Sequence, residues 1–179
     1  MTVQHPIRLP SRATDAVILL DQHRLADAAA DLNGEDGEIR RRFDGGRPAD
    51  LDEAEDAIRR YMRRWVDSGP EITYALRLPD ETLIGGVEIR RPESTLANVG
   101  YWVFPAHRNR GYAARALILL CRIAGENIPE LSSISAHIEL DNLASLRTAE
   151  QAGFRPTGKV MENGVERLRL VRDLCSSSA

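Results

Sequence analysis

Apolar residues change their spacing along this chain, and each change predicts a change of element. Asp15 to Asp21, DAVILLD, is a short apolar run of strand length. HRLADAAADL follows with a helical pattern that Asn33-Gly34 stops. Asp50 stands three residues before Glu53 in a capping-box-like start, and Leu51, Ala54, Ile58, Tyr61, Met62 and Trp65 then recur at helical spacing up to Gly69-Pro70. From Ile72 the period becomes that of strands: ITYALRL and TLIGGVEIRR flank the turn Pro79-Asp80, and LANVGYWVF makes a third strand, together an antiparallel meander. The run YAARALILLCRIA after Gly111 predicts a largely buried helix ending near Gly125. SSISAHIEL predicts a strand, Asp141-Asn142 cap a helix through Ala152 that Gly153 stops, and two alternating runs around Asn163-Gly164 predict a hairpin. The fold class is therefore α/β (α+β), a mixed and mostly antiparallel sheet with helices on both faces.

Composition narrows the classes. The chain has 179 residues, 42% of them hydrophobic, which predicts one domain over 1–179 with a core of about 14–172 and a frayed tail at 175–179. A net charge of −3 provides no field to hold nucleic acid. No run approaches the ~20 apolar residues that span a bilayer, and MTVQHPIRLPSR does not look like a signal peptide, so a cytoplasmic protein is expected, with no membrane partner. Cys121 and Cys175 are too few for a disulfide framework or a zinc quartet, and His5 and His23 lack metal-ligand spacing, so no metal is expected.

The chemistry concentrates in GYWVFPAHRNRGYAARAL, residues 100–117, where a strand runs into a loop that opens a helix. Unpaired N–H groups at a helix N-terminus attract anions, Gly111 and the small Ala113 and Ala114 allow close approach, and Arg108 and Arg110 add charge. A pyrophosphate fits such a loop. Arg108-Asn109-Arg110-Gly111-Tyr112-Ala113 resembles the acyl-CoA signature of the GNAT acetyltransferase superfamily: Arg or Gln, two residues, Gly, one residue, Gly or Ala. Asn142-Leu143-Ala144-Ser145 and Ala152-Gly153-Phe154 further along resemble the branch that contains the ribosomal-protein N-terminal acetyltransferases and many small-molecule acetyltransferases.

That resemblance implies the GNAT fold with a splayed pair of central strands, acetyl-CoA as co-substrate and an amine as acceptor. It places Trp102 and Val103 where backbone groups meet the pantetheine arm, with the Val103 N–H on the thioester carbonyl. Residues 108 to 113 would cradle the pyrophosphate, Asn142 would bond the pantetheine, and Ser145 would sit near the sulfur. Asn142 also suits a plain helix N-cap, and His107, which borders the loop, reads as an exposed loop histidine before a cofactor contact.

Two family residues are missing. Asn98 stands where many relatives carry a Glu base, and Ala149 where ribosomal-protein-type relatives carry a Tyr acid. An α-amine, with a reference pKa of about 7.7 to 8.0, needs no dedicated base, whereas a lysine-like amine near ~10.4 calls for Glu88, His137 or Glu139. Glu88 lies on the Ile84/Gly86 face of its strand, and His137 and Glu139 share a face of theirs. Ser145 and Glu88 are the catalytic candidates, Ser145 as proton donor. The expected acceptor is a peptide N-terminus or a small-molecule amine. The alternative is a non-catalytic acyl-CoA sensor or partner-binding module, as a monomer or homodimer. Arg59, Arg60, Arg63 and Arg64 read as a solvated helix face, and Asp31, Glu35, Asp36 and Glu38 read equally as a group that attracts a cation or as a solvated acidic turn.

Overall fold

The computed structural model describes residues 6–43 and 50–174, so His5, Gly45-Gly46, Cys175 and the tail lie outside the described residues. Its strands are β1 Arg12–Thr14, β2 Leu19–Gln22, β3 Glu71–Arg77, β4 Leu83–Arg90, β5 Leu96–Val103, β6 Ser133–Glu139, β7 Arg155–Glu162 and β8 Val165–Asp173. They form one sheet in the order β1-β2-β3-β4-β5-β6-β8-β7, antiparallel except for β5 and β6. The helices are α1 Ala28–Gly34, α2 Gly37–Phe43, α3 Leu51–Val66, α4 Tyr112–Asn127 and α5 Leu143–Gln151. The expected mixed α/β architecture is present, and the meander, the Asp50-capped helix and the Asn163-Gly164 hairpin fall where the pattern puts them. Asn163 and Gly164 have φ of 51° and 78°, the pair of positive values that a type I′ turn requires.

α4 supplies the largest apolar surface. Its Ala116, Leu117, Leu120 and Ala124 are inaccessible to solvent and pack with Ile72, Tyr74, Leu76 and Ile89 of the sheet and with Ala149 and Phe154. The opposite face is covered by α1 to α3 through two smaller clusters, Ile39 with Ala75, Leu83, Trp102 and Phe104, and Ala28 with Ala54 and Ile58.

Two elements differ from the sequence pattern. DAVILLD is not one strand: the Asp15 carboxylate accepts the Val17 and Ile18 N–H groups and Ala16 turns to φ 73°, so the chain reverses between β1 and β2. The acidic stretch 31–38 is not a solvated turn. Asp31 is buried, and Asp36 caps α2, a helix the pattern does not reveal, by accepting the Ile39 N–H.

A buried ion pair fastens the start of α1 to β3. Arg77, 3% exposed, donates both terminal nitrogens to Asp27 at 3.0 and 2.6 Å. Burial alone would raise the Asp27 carboxyl, but the bonds from Arg77 and the Arg24 N–H outweigh it and hold the group below the usual carboxylate range. Its stabilisation is therefore present above the unfolded value near ~3.9 and lost as the pH falls through the folded one. Asp27→Asn leaves the buried Arg77 guanidinium with only Asp21, 3.9 Å from its Nε, as a carboxylate partner and is expected to cost about 3 kcal/mol, read as a lower urea midpoint at unchanged slope.

Candidate active site

The site begins where β5 and β6 part. Their parallel pairing runs only from Leu96↔Ser133 to Val99↔Ala136, although β5 continues to Val103 against β4 and β6 to Glu139 against β8. The sheet is thus split at its centre. Phe104 donates its N–H to Ile84 O, so by alternation the backbone groups of Tyr101 and Val103 point away from β4 into the gap. The Trp102 carbonyl is turned the other way, against Gly85, where an added Cβ would lie 2.2 Å from it. What Trp102 contributes is a wall: its indole lies over Gly86, where any Cβ would come within 2.3 Å of the ring, and 5.2 Å from the Phe43 ring.

Beyond Val103 the chain makes one 3-10 turn, Pro105–His107, and reaches the head of α4 with Asn109 at φ 60° and Gly111 at φ 76°. Gly111 is the N-cap, no side chain caps the helix, and nothing lies within 4 Å of a Cβ built there. The first-turn N–H groups of Tyr112, Ala113 and Ala114 therefore face an open concavity at the positive end of a 16-residue helix, an arrangement suited to a phosphate-bearing ligand. The two signature arginines divide. Arg108 donates to Val103 O at 3.0 Å and clamps Asp36 with both terminal nitrogens at 2.7 and 3.1 Å, so it braces the loop. The bond from Arg108 holds the Asp36 carboxyl below its usual value. Arg110 is exposed and makes no ion pair among the described residues. His107 is half-buried with an unpartnered, buried Nδ1 among the described residues, not the exposed loop histidine expected.

α2 ties both arms of the split together. Asp36 at its head holds Arg108 of the loop after β5, and Arg42 at its end donates to Glu139 of β6 at 2.6 Å, joined there by Arg41 at 3.3 Å. Glu139 is also paired with Arg167, so this carboxylate belongs to the brace.

Asn142 accepts the Ser145 N–H at 3.2 Å with its Oδ1, the capping role the sequence allows, and its amide NH2 remains for a ligand. Tyr101 donates its hydroxyl to Ser145 O at 2.7 Å, which fixes the first turn of α5 beside β5, and burial raises this phenol far above its ordinary value. Ala149 is fully buried in the core.

On the α1–α3 side, Glu88 pairs in register with Gly100, and its carboxyl leans over that glycine, where a Cβ would stand 3.0 Å from Oε1. Burial raises the Glu88 carboxyl, opposed by Arg90 at 3.6 Å. Asn98, at the position of the missing base, accepts the Ser135 hydroxyl. His137 bonds Glu162 at 2.6 Å, a partner that sequence reasoning misses because nothing local links the two.

One cavity of about 1440 Å³ runs from Gly111 through the gap past Ser145 to Glu88 and on to Asp31 and Glu53. Its end away from Gly111 mixes Glu53, Glu71 and Glu88 with Arg42, Arg60, Arg64 and Arg90. The arginine face of α3 is accordingly not uniform: Arg59 pairs with Glu55 and Asp56 in solvent, Arg64 pairs with Glu71, and Arg60 and Arg64 line the cavity. Among the described residues no helix is long and apolar enough to cross a membrane.

A comparison with curated protein sequences gave no significant match. Solved structures are similar in fold at low identity. A structure described as that of a ribosomal-protein-serine acetyltransferase from Vibrio cholerae superposes with a TM-score of 0.75 at 18% identity, covering 90% of this chain and 97% of that one. The microcin C7 self-immunity acetyltransferase MccE, solved with acetyl-CoA and AMP, gives 0.76 at 16%, covering 92% and 97%. The aminoglycoside acetyltransferase AAC(6')-Ib, solved with coenzyme A, gives 0.71 at 16%, covering 87% and 94%. The family model for the acetyltransferase (GNAT) domain matches residues 18–155, and the chain belongs to that family.

Proposed function

We propose that the chain is an acetyl-CoA-dependent N-acetyltransferase acting on an α-amine of a peptide-like acceptor. The observation that carries this reading is the continuity of the cavity: an anion-binding helix head at one end and a raised carboxyl at the other, joined through the gap between β5 and β6. Acetyl-CoA supplies an activated acyl group. The N–H groups of residues 111 to 114 and Arg110 hold its pyrophosphate, Asn142 its pantetheine, and the Val103 N–H polarises the thioester carbonyl. Glu88 takes the proton that the nitrogen sheds as the N–C bond forms, and Ser145 protonates the departing thiolate.

Glu88 also answers the absence of a base at Asn98, because it presents a carboxyl on the neighbouring strand over Gly100. With Ser145 standing in for the acid missing at Ala149, this favours turnover over a sensor. A polycationic acceptor such as the aminoglycosides calls for a strongly acidic pocket, and the arginines interspersed here disfavour it; a peptide N-terminus carries one positive charge beside neutral backbone.

Thiol release from acetyl-CoA, measured with peptides bearing a free or a blocked N-terminus, with kanamycin and with spermine, is expected only with the free N-terminus. Release with kanamycin alone would reassign the acceptor. Ser145→Ala is expected to lower kcat by about 10²-fold with the KM for acetyl-CoA unchanged, and an equal loss in both would make Ser145 a binding residue.

A further inference from the structure

Glu88, Gly100 and the first residue of β6 beyond the split, His137, lie in one row across three strands. Glu88 pairs with Gly100, and Gly100 and His137 each stand two residues past the paired and hydrogen-bonded Asn98 and Ser135, so all share a face. Gly100 has no side chain, the Glu88 carboxyl leans over it, and His137 stands on the same face across the split. Both line the cavity, and the His137 side chain is 16% exposed.

The bonds around His137 settle which nitrogen carries hydrogen. Glu162 Oε1 lies 2.6 Å from Nδ1, and a carboxylate only accepts, so Nδ1 is the donor. Ser135 Oγ lies 3.5 Å from Nε2, but its proton goes to Asn98 Oδ1. Nε2 belongs to a ring that lines the cavity, with a hydroxyl oxygen placed to accept from it when it carries a proton. Glu162 is held in turn by Arg167 at 3.6 Å and is partly open to solvent.

We propose that His137, positioned by Glu162, is a second proton acceptor of the site, removing the surplus proton of an acceptor that arrives as an ammonium ion. This rests on the acetyltransferase reading above. An ammonium nitrogen must lose two protons to become an amide. His137 Nε2 takes the first and releases it to water. The freed amine attacks, the N–C bond forms, and Glu88 takes the second. The C–S bond breaks, and the sulfur takes one proton through Ser145, which Glu88 restores through water. One ammonium and one thioester give one amide, one thiol and one proton to solvent.

The division of labour makes a distinguishing prediction, because an acceptor that is already neutral needs only Glu88. With acetyl-CoA and a hexapeptide bearing a free N-terminus, His137→Asn is expected to lower kcat/KM by about 10-fold at pH 7 relative to wild type, the share of the α-amine that is still protonated there, with unchanged acetyl-CoA affinity. At pH 9, above the α-amine value of about 7.7 to 8.0, most of that deficit closes. Glu162→Gln should show the same pattern at smaller amplitude. Wild-type rates in His137→Asn at pH 7, or a deficit equal at both pH values, overturns the inference and leaves the acetyltransferase reading standing. Absence of thiol release by the wild type with both the peptide and kanamycin overturns the two together.

Discussion

A Gly111→Asp chain is expected to fold and to lose acetyl-CoA binding. Gly111 sits at φ 76°, a conformation that Asp tolerates better than most side chains at a cost of roughly 1–2 kcal/mol, and its Cβ would enter open space. The fold therefore has no steric reason to change. The carboxylate would stand at the head of α4, among the N–H groups assigned to the pyrophosphate. Two like charges about 4 Å apart near a protein surface repel by about 4 kcal/mol, which is about 10³-fold in affinity. Calorimetric titration reads the loss directly, and binding at the parental affinity would show that the anion site is elsewhere.

Glu88→Gln is expected to separate activity from stability. The carboxyl is raised by burial, so its ionised form is held in the fold at a cost: such a group favours folding fully below its unfolded value and loses that contribution as the pH rises through the folded one. A neutral amide avoids the cost at pH 7, so the variant should melt at the same temperature as the parent or higher. Turnover should fall by about 10²–10³-fold. The parent's kcat should decline on the acid side of a pH above the ordinary carboxylate value of about 4.3, and that limb should vanish in the variant. Arg90, Arg64 and Glu71 face the same carboxyl and set where the limb falls. A variant that loses stability along with activity would make Glu88 a structural residue.

Much of the scaffold is legible because local pattern and tertiary fate agree there. The apolar run of α4 is long enough to exclude a strand, Asn163-Gly164 supplies the two positive φ angles of its turn, and Gly111 stands where a left-handed N-cap is needed. α2 is not legible, because GEIRRRF buries only Ile39 and is held by ion pairs to residues far along the chain. The break between β1 and β2 is hidden by an alanine in a glycine-like conformation inside an apolar run. At the site, the strand-to-helix turn at Gly111 is readable from the pattern. The bond between His137 and Glu162 exists only because β8 pairs with both β6 and β7 and so sets them one strand apart.

The span of α2 across the two diverging strands bears on the tempo of ligand capture. With Asp36 and Arg42 gripping opposite arms, the width of the slot is set by contacts that need no ligand, and entry is expected without a prying motion. Association should then follow a single phase proportional to ligand concentration, without the plateau that a slow opening imposes. Arg42→Ala would unlatch one arm, and the plateau should emerge there, a rigid keyway turned into a door that must first swing.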